Sequence, residues 1–284
     1  MSGFAFQSAG SLEEALAVLA RTEGETRIVA GGTNVVPAIR DGRQPPALLL
    51  DISRLDGLRG LREEKGKLWI GALTTLAELA ASPLLAERAP ALYQAANSFA
   101  DPNTRGRATV AGNITNASPG ADMAPPLLVL EAEVFLTGPA GHRSLPLREY
   151  LTGPFRAALT RDEIVTHLTI SPQVHSAFIK IGLRRAMAIS VATVAVALEK
   201  ATDGAVTACR IAFGALGPTA LRAPQAESVF LGRQPDSALF AAAAAAIAGD
   251  IQPRDGLRGT REYRLSAAGA ILERAFSLAY YKEA

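Results

Sequence analysis

Ile28-Val29-Ala30-Gly31-Gly32-Thr33-Asn34-Val35 and Thr109-Val110-Ala111-Gly112-Asn113-Ile114-Thr115-Asn116 are the two stretches on which the reading of this chain turns. Each joins apolar, β-prone residues to glycines that let the backbone come close to a ligand. Successive amides pointing into one concavity form a nest for an anion. One such loop is a tight turn more often than a site. Two of them point to a ligand with two phosphates, held from both sides. Neither is a Rossmann fingerprint, since Gly-x-Gly-x-x-Gly is missing, and neither is a Walker loop, since no Gly-Lys-Ser/Thr follows.

Working outward, the first 55 residues read as a small α/β unit of helix, strand, loop, helix and strand. Ser11-Leu12-Glu13-Glu14 has the pattern of a capping box, with Leu12, Ala15, Leu16 and Leu19 on one helical face. Arg27–Ala30 and Ala47–Asp51 read as short strands. A second unit opens at Leu68–Gly71, followed by the capping box Thr75-Leu76-Ala77-Glu78 and a helix running from Ser82-Pro83 through Tyr93 to Ala96. Asp122 reads as the N-cap of a helix that takes Pro125 and Pro126 in its first turn. Glu133–Leu136 and Glu163–Ile170 read as strands. Ser171-Pro172-Gln173 marks a boundary. Beyond it lie strands at Phe178–Leu183, Val191–Leu198 and Val206–Phe213, with Asp203-Gly204 as a hairpin signal. Helices follow near Ala223–Leu231, Ser237–Ala248 and Leu265–Tyr280, which makes the last third an α+β unit.

Composition narrows the chemistry. The chain has 284 residues, 29 basic against 27 acidic, and a formal net charge of +2. No basic stripe with interleaved aromatics appears, which argues against nucleic acid as a partner. The start lacks a secretory leader pattern, and the alanine-rich run Leu239–Ala248 is too short to span a bilayer and reads as a close-packed helix. A cytoplasmic protein without a transmembrane segment is expected. A single cysteine, Cys209, cannot hold an iron–sulfur cluster, and His142, His167 and His175 lack metal-ligand spacing. No Gly-x-Ser-x-Gly elbow supports a hydrolase triad. Redox chemistry would therefore need a bound organic cofactor. In the run from Thr109 to Asp122, amides suit pyrophosphate oxygens, while Asn116, Ser118 and Asp122 suit ribityl or ribose hydroxyls.

Taken together, Ala30-Gly31-Gly32-Thr33-Asn34-Val35 and Arg105-Gly106-Arg107-Ala108-Thr109-Val110-Ala111-Gly112-Asn113 onward to Asp122 resemble the FAD-binding medium subunit of the molybdenum hydroxylases, the xanthine dehydrogenase and carbon monoxide dehydrogenase group. Leu151-Thr152-Gly153-Pro154-Phe155, Asp162-Glu163-Ile164, Ala177-Phe178-Ile179-Lys180 before Arg184-Arg185, and Gly217-Pro218-Thr219 before Arg222-Ala223 extend the resemblance along the chain. It implies an α+β architecture: a two-subdomain FAD-binding fold of the vanillyl-alcohol-oxidase type (residues 1–55 and 56–172), then an α+β C-terminal domain (173–284) with a small antiparallel sheet and helices. By position, Ile28, Val29, Ala30, Gly31, Gly32, Thr33, Asn34 and Val35, with Thr109, Val110, Ala111, Gly112 and Asn113, are expected at the pyrophosphate. Asp122 is expected at a hydroxyl of FAD. Val165 and Lys180 align with residues near the isoalloxazine, and Phe99 with a cofactor-contacting phenylalanine. Two departures stand out: Ala111 replaces a usual glycine, acceptable only at negative φ, and Gly106 replaces an asparagine.

The function implied is an FAD-containing oxidoreductase subunit. It would take electrons from the [2Fe–2S] centres of a small partner subunit and pass them to an external acceptor. The molybdenum cofactor would lie in a large subunit, within a dimer of heterotrimers. Such a chain needs no acid–base pair of its own and does not oxidise the organic substrate alone. A stand-alone FAD-dependent oxidoreductase and a flavin-less assembly subunit are the alternatives.

Overall fold

A computed structural model describes residues 3–43, 45–184 and 188–282. The first section is a three-stranded parallel sheet. It comprises β1 (Ala5–Ser8), α1 (Leu12–Arg21), β2 (Thr26–Val29), α2 (Val35–Arg40) and β3 (Leu48–Asp51), with strand order β1-β3-β2. Ser11 caps α1 by accepting the Glu14 N–H, but the Glu14 carboxylate turns to the Gly10 N–H, so the expected box closes one residue early. Ala15, Val18, Leu19 and Leu50 pack into a core of their own.

The second section begins with the hairpin β4 (Leu61–Glu64) and β5 (Lys67–Gly71). Helices α3 (Leu76–Ala80), α4 (Pro83–Arg88), α5 (Pro90–Ser98), α6 (Pro102–Arg107), α7 (Val110–Thr115) and α8 (Ala124–Val129) follow. Then come β6 (Glu133–Gly138), β7 (Gly141–Pro146), α9 (Leu147–Tyr150), the short pair β8 (Leu151–Gly153) and β9 (Arg156–Ala157), and β10 (Ile164–Ile170). Its sheet is antiparallel, in the order β4-β5-β10-β6-β7. The Thr75–Glu78 capping box forms with both of its bonds. The single helix expected over 82–96 is two, because Pro90 lacks an N–H and forces Ala89 out of the helical region to φ −149°, ψ 60°. Asp122 does not cap α8. Met123 occupies that place, without a side-chain bond.

The third section is the antiparallel sheet β11 (Ser176–Gly182), β12 (Ser190–Lys200), β13 (Val206–Gly214) and β14 (Leu221–Arg222), backed by α10 (Pro224–Phe230), α11 (Ser237–Asp250) and α12 (Arg261–Tyr280). Strand β12 is buried on both faces and sorts its side chains by size. Val194, Val196 and Leu198 join the core shared with the helices, while Ala195 and Ala197 face the core of the second section. Small residues on one face let the two sections approach closely. Helix α11 buries only Leu239, Ala243 and Ile247, so its alanine run is close-packed along one side and open on the other. None of the helices among the described residues is long and apolar enough to cross a membrane. Arg185 lies outside the described residues.

Candidate cofactor site

The first glycine segment leaves the carboxyl end of β2, next to the carboxyl end of β3. That is where open parallel sheets place ligand crevices. Here Val29, Ala30, Gly31, Gly32 and Thr33 line a cleft of about 500 Å³ with Phe6, Val36, Asp51, Ser53 and Arg107. The N–H groups of Gly31, Gly32, Thr33 and Asn34 have no hydrogen-bond acceptor among the described residues. Helix α2 starts immediately afterwards, its Val36 N–H bonded to the Gly32 carbonyl at 3.1 Å. Gly32 has φ +75°, which only glycine adopts without strain. Gly31 is required for a different reason: a Cβ there would lie 1.8 Å from the Arg107 carbonyl oxygen. The Arg107 Nε in turn donates to the Gly31 carbonyl at 3.4 Å. Ile28, Ala30 and Val35 are half-buried, Val29 is buried, and Asn34 is exposed at the N-cap of α2, without a side-chain bond.

The second segment is helical rather than a loop. Thr109 caps α7 by accepting the Gly112 N–H at 3.1 Å. Residues 108–111 are zipped to the stretch after β5: Val110 N–H bonds the Thr74 carbonyl at 3.0 Å, and Ala111 N–H the Ala72 carbonyl at 3.2 Å. Asn113 N–H bonds the Thr109 carbonyl at 3.0 Å. The amides of Val110 to Asn113 are therefore already satisfied, and side chains are what this segment still offers. The clearest is the buried Asn113 Oδ1, which has no hydrogen-bond partner. Buried polar atoms are rarely left so, and an orphan marks a place for a ligand or water. Ala111 has helical, negative φ and its methyl is buried in the main core, so the departure from glycine carries no backbone strain.

From α7 the chain runs through Asn116, at the C-cap, and the Ser118 turn, where Ser118 Oγ accepts the Gly120 N–H at 3.3 Å. Two long-range bonds pin this run, Phe155 N–H to the Ala117 carbonyl at 2.8 Å and Ala215 N–H to the Pro119 carbonyl at 2.7 Å. It delivers Asp122 to a buried cluster. Lys180 Nζ, on β11, lies 2.5 Å from Asp122 Oδ2, and Ser190 Oγ, at the start of β12, donates to Asp122 Oδ1 at 2.5 Å. Burial pushes the Asp122 carboxyl above its ordinary value, while the Lys180 charge and the Ser190 hydroxyl pull it back. These partners, both distant in sequence, are why Asp122 does not act as a cap.

Val165 is buried on β10 beside a bulge in the pairing with β6, and Phe99 is half-buried at the C-cap of α5 against the same core. Neither lines the cleft. The structure thus forms two centres, the Gly31 cleft and the cluster in which Ser190 joins Asp122 and Lys180, joined by residues 107–122, while Phe99 and Val165 belong to neither.

Four residues escaped the sequence reading. Arg107 was quoted only as part of a motif, and Ser190 carries no local signal. Asp51 and Ser53 follow a parallel strand, and the rule that ligands gather at carboxyl ends could have found them. Burial works against ionising Asp51, but bonds from Ser53 and Ser8 and the Arg54 charge outweigh it and hold its carboxyl below the ordinary value.

Comparison with known proteins places the whole chain in one family. Residues 2–173 match the FAD binding domain in molybdopterin dehydrogenase, and residues 177–279 match the CO dehydrogenase flavoprotein C-terminal domain. The chain is 33% identical over 281 residues to the carbon monoxide dehydrogenase medium chain of Hydrogenophaga pseudoflava, covering 98% of this chain and 97% of that one. It is 32% identical over 278 residues to the xanthine dehydrogenase FAD-binding subunit of Escherichia coli O157:H7, covering 96% and 94%. The solved structure of the Hydrogenophaga pseudoflava carbon monoxide dehydrogenase lacking the Mo-pyranopterin moiety superposes with a TM-score of 0.93 at 32% identity, over 98% of this chain and 97% of that one. With both of its sections matched along nearly the whole length, the chain belongs to the FAD-binding subunits of the molybdenum hydroxylases, the xanthine and carbon monoxide dehydrogenase family.

Proposed function

We propose that this chain is the electron-relay subunit of a cytoplasmic, multisubunit molybdenum hydroxylase. It takes electrons from [2Fe–2S] centres in a small partner subunit and passes them to an external acceptor. The observation that carries the reading is the row of free amides from Gly31 to Asn34, opening into a cleft of about 500 Å³ beside Arg107. Four donors and a guanidinium suit a pyrophosphate. Bound FAD supplies the capacity to accept and release electrons, which no side chain here provides. The chain's part is to bind and to bias. Gly31, Gly32, Thr33 and Asn34 hold the anion, Ile28 to Ala30 and Val35 shape its walls, and Asn113 Oδ1 accepts from the ligand. Thr109, Val110, Ala111 and Gly112 hold Asn113 in place. Asn116, Ser118 and Asp122 serve hydroxyl groups, Phe99 and Val165 bound the ring site, and Lys180 sets its electrostatics. A division near residues 55 and 172 follows the three sheets, while the cores reach across it, Leu58, Leu73 and Ile164 packing with the first section and Phe178, Ala195 and Ala197 with the second. A large molybdenum-cofactor subunit and a dimer of heterotrimers complete the assembly.

Purification of the tagged chain after co-expression with a candidate [2Fe–2S] subunit and a candidate molybdenum-cofactor subunit tests this. Released FAD together with co-purifying iron supports the relay. A chain that takes up no flavin on reconstitution is a scaffold, and rapid turnover of an aldehyde or alcohol by the isolated chain marks a self-sufficient enzyme. Lys180→Ala is expected to lower the FAD midpoint potential, because a cation favours the more negative, reduced cofactor. An unchanged potentiometric titration removes Lys180 from the site.

A further inference from the structure

Ser190 is a buried hydroxyl whose partner no local rule predicts. It opens β12 beside the irregularity that shifts the β11–β12 register between Ile181 and Gly182, and it is 1% exposed. A serine at the end of a strand ordinarily bonds its own or neighbouring backbone. Here Oγ donates instead to Asp122 Oδ1 at 2.5 Å, 68 residues away.

The backbone around this hydroxyl is fastened from two sides. Ser190 pairs with Gly182 in the ladder to β11, the strand that carries Lys180. Arg264 Nε, on α12, donates to the Val191 carbonyl at 3.3 Å. The same guanidinium bonds the Ala215 carbonyl, and the Ala215 N–H bonds the Pro119 carbonyl at 2.7 Å, three residues before Asp122. Hydroxyl, carboxylate and ammonium are thus held on one framework.

A buried carboxylate–ammonium pair has two forms. In one, Asp122 is a carboxylate and Lys180 an ammonium. In the other a proton has moved from Nζ to Oδ2, breaking one N–H bond and making one O–H bond, with the total charge unchanged. Burial favours the neutral form, because ions lose more solvation than neutral groups. Each further donor to the carboxylate favours the charged form. Water supplies few such donors here, since the side chains of Lys180 and Asp122 are only 11% and 4% exposed. Burial already holds the Asp122 carboxyl above its ordinary value, and Lys180 and Ser190 are the groups that oppose it.

We infer that Ser190 is a positioning residue that keeps the Asp122–Lys180 pair charged, so that Lys180 presents a fixed cation to the cofactor. It acts through Asp122 and needs no contact with the ligand. Resting on the function proposed above, the consequence is electrostatic, because a neutral Lys180 no longer favours the more negative, reduced cofactor. A side chain that only filled space here would leave the proton where it is.

The test uses the 284-residue chain, cofactor-free and reconstituted with FAD. Infrared difference spectra between cofactor-free Ser190→Ala and Ser190→Ala/Asp122→Asn isolate the Asp122 carboxyl, and wild type against Asp122→Asn gives the reference. A protonated carboxyl has a carbonyl stretch that a carboxylate lacks. Losing one hydrogen bond to a charged group shifts the balance toward the neutral pair by about tenfold or more. The expected result is a protonated-carboxyl band in Ser190→Ala that wild type lacks, with the FAD midpoint potential lowered in the same direction as in Lys180→Ala. The two substitutions should not add, because both remove one cation. Ser190→Thr keeps the hydroxyl and should match wild type, and Ser190→Cys, a near-isosteric weaker donor, should fall between. Thermal unfolding shows which variants are folded. A wild-type potential in Ser190→Ala without the band overturns the inference, and so does a band already present in wild type. The band with potentials unchanged in both Ser190→Ala and Lys180→Ala supports the role of Ser190 in the pair and refutes instead the placement of Lys180 beside the cofactor.

Discussion

Replacing Gly31 by alanine tests the contact that joins the first two sections of the fold. A Cβ at position 31 would sit 1.8 Å from the Arg107 carbonyl oxygen, where ordinary contact begins near 3.4 Å. The Arg107 backbone would have to retreat by about 1.6 Å, a figure taken from those two distances. It is poorly placed to do so, because Ala108 carbonyl accepts the Leu76 N–H at 2.9 Å and Val110 N–H bonds Thr74 at 3.0 Å. Overpacking of a well-filled contact costs about 1–3 kcal/mol. Because the strain falls on the cleft wall itself, much of it should appear as lost ligand affinity. A loss of about 2 kcal/mol corresponds to ~30-fold weaker FAD binding. Reconstitution of the deflavinated protein, followed by flavin fluorescence quenching, reads this directly, with thermal unfolding of the cofactor-free chain measured in parallel. Gly106→Ala is the internal control. It lies one residue from Arg107, its Cβ would meet nothing within 4 Å, and its φ is not positive. That substitution should leave FAD affinity unchanged and stabilise α6 slightly. Equal FAD affinity in Gly31→Ala and wild type would refute the close approach and the assignment of this cleft.

Three other perturbations have signs fixed by the structure. Glu163 takes Arg143 Nε and Nη2 at 2.6 and 2.8 Å and the Thr160 N–H at 2.9 Å, which brings its carboxyl down to about 2. Its stabilisation is therefore complete above the unfolded value near 4.5 and is lost as pH falls from there toward about 2. Discounted for the half-exposed Arg143, Glu163→Gln should cost about 1 kcal/mol at neutral pH and progressively less in acid. Urea unfolding at stepped pH checks this, and a pH-independent difference contradicts it. Lys180→Ala leaves the buried Asp122 without its cation and should destabilise the chain by about 3 kcal/mol, whereas Lys180→Met combined with Asp122→Asn should recover most of that loss. A double variant no more stable than Lys180→Ala would show that the two groups are not coupled. Ala111→Gly should lower the melting temperature, through about 1 kcal/mol of helix propensity, with no gain in FAD affinity. Tighter FAD binding in that variant would mean that the Ala111 methyl crowds the ligand after all.

What the sequence made legible follows from how far each signal reaches. The two glycine segments stood out because glycine advertises a local backbone demand, and the strands around them are short apolar runs with clear ends. The break at Ala89 was also readable, since Pro90 follows it, and a run of good helix formers hid that signal. Which glycine segment keeps its amides free was not readable. That depends on Ala72 and Thr74 reaching Val110 and Ala111 through tertiary pairing, and neither end encodes its partner. The same holds for Asp122, which is a cap by local pattern and an ion-pair partner in three dimensions, because Lys180 and Ser190 arrive from strands 58 and 68 residues away. Glycine itself shows the limit most sharply. At Gly31 the absent side chain is dictated by a carbonyl from another section of the chain, and any larger residue collides with it. At 111 a glycine is usual in the resembling family, yet the helical backbone and an apolar surrounding accept a methyl group. The motif pattern marks both positions alike, and only the contacts around each decide that one is obligatory and the other is not.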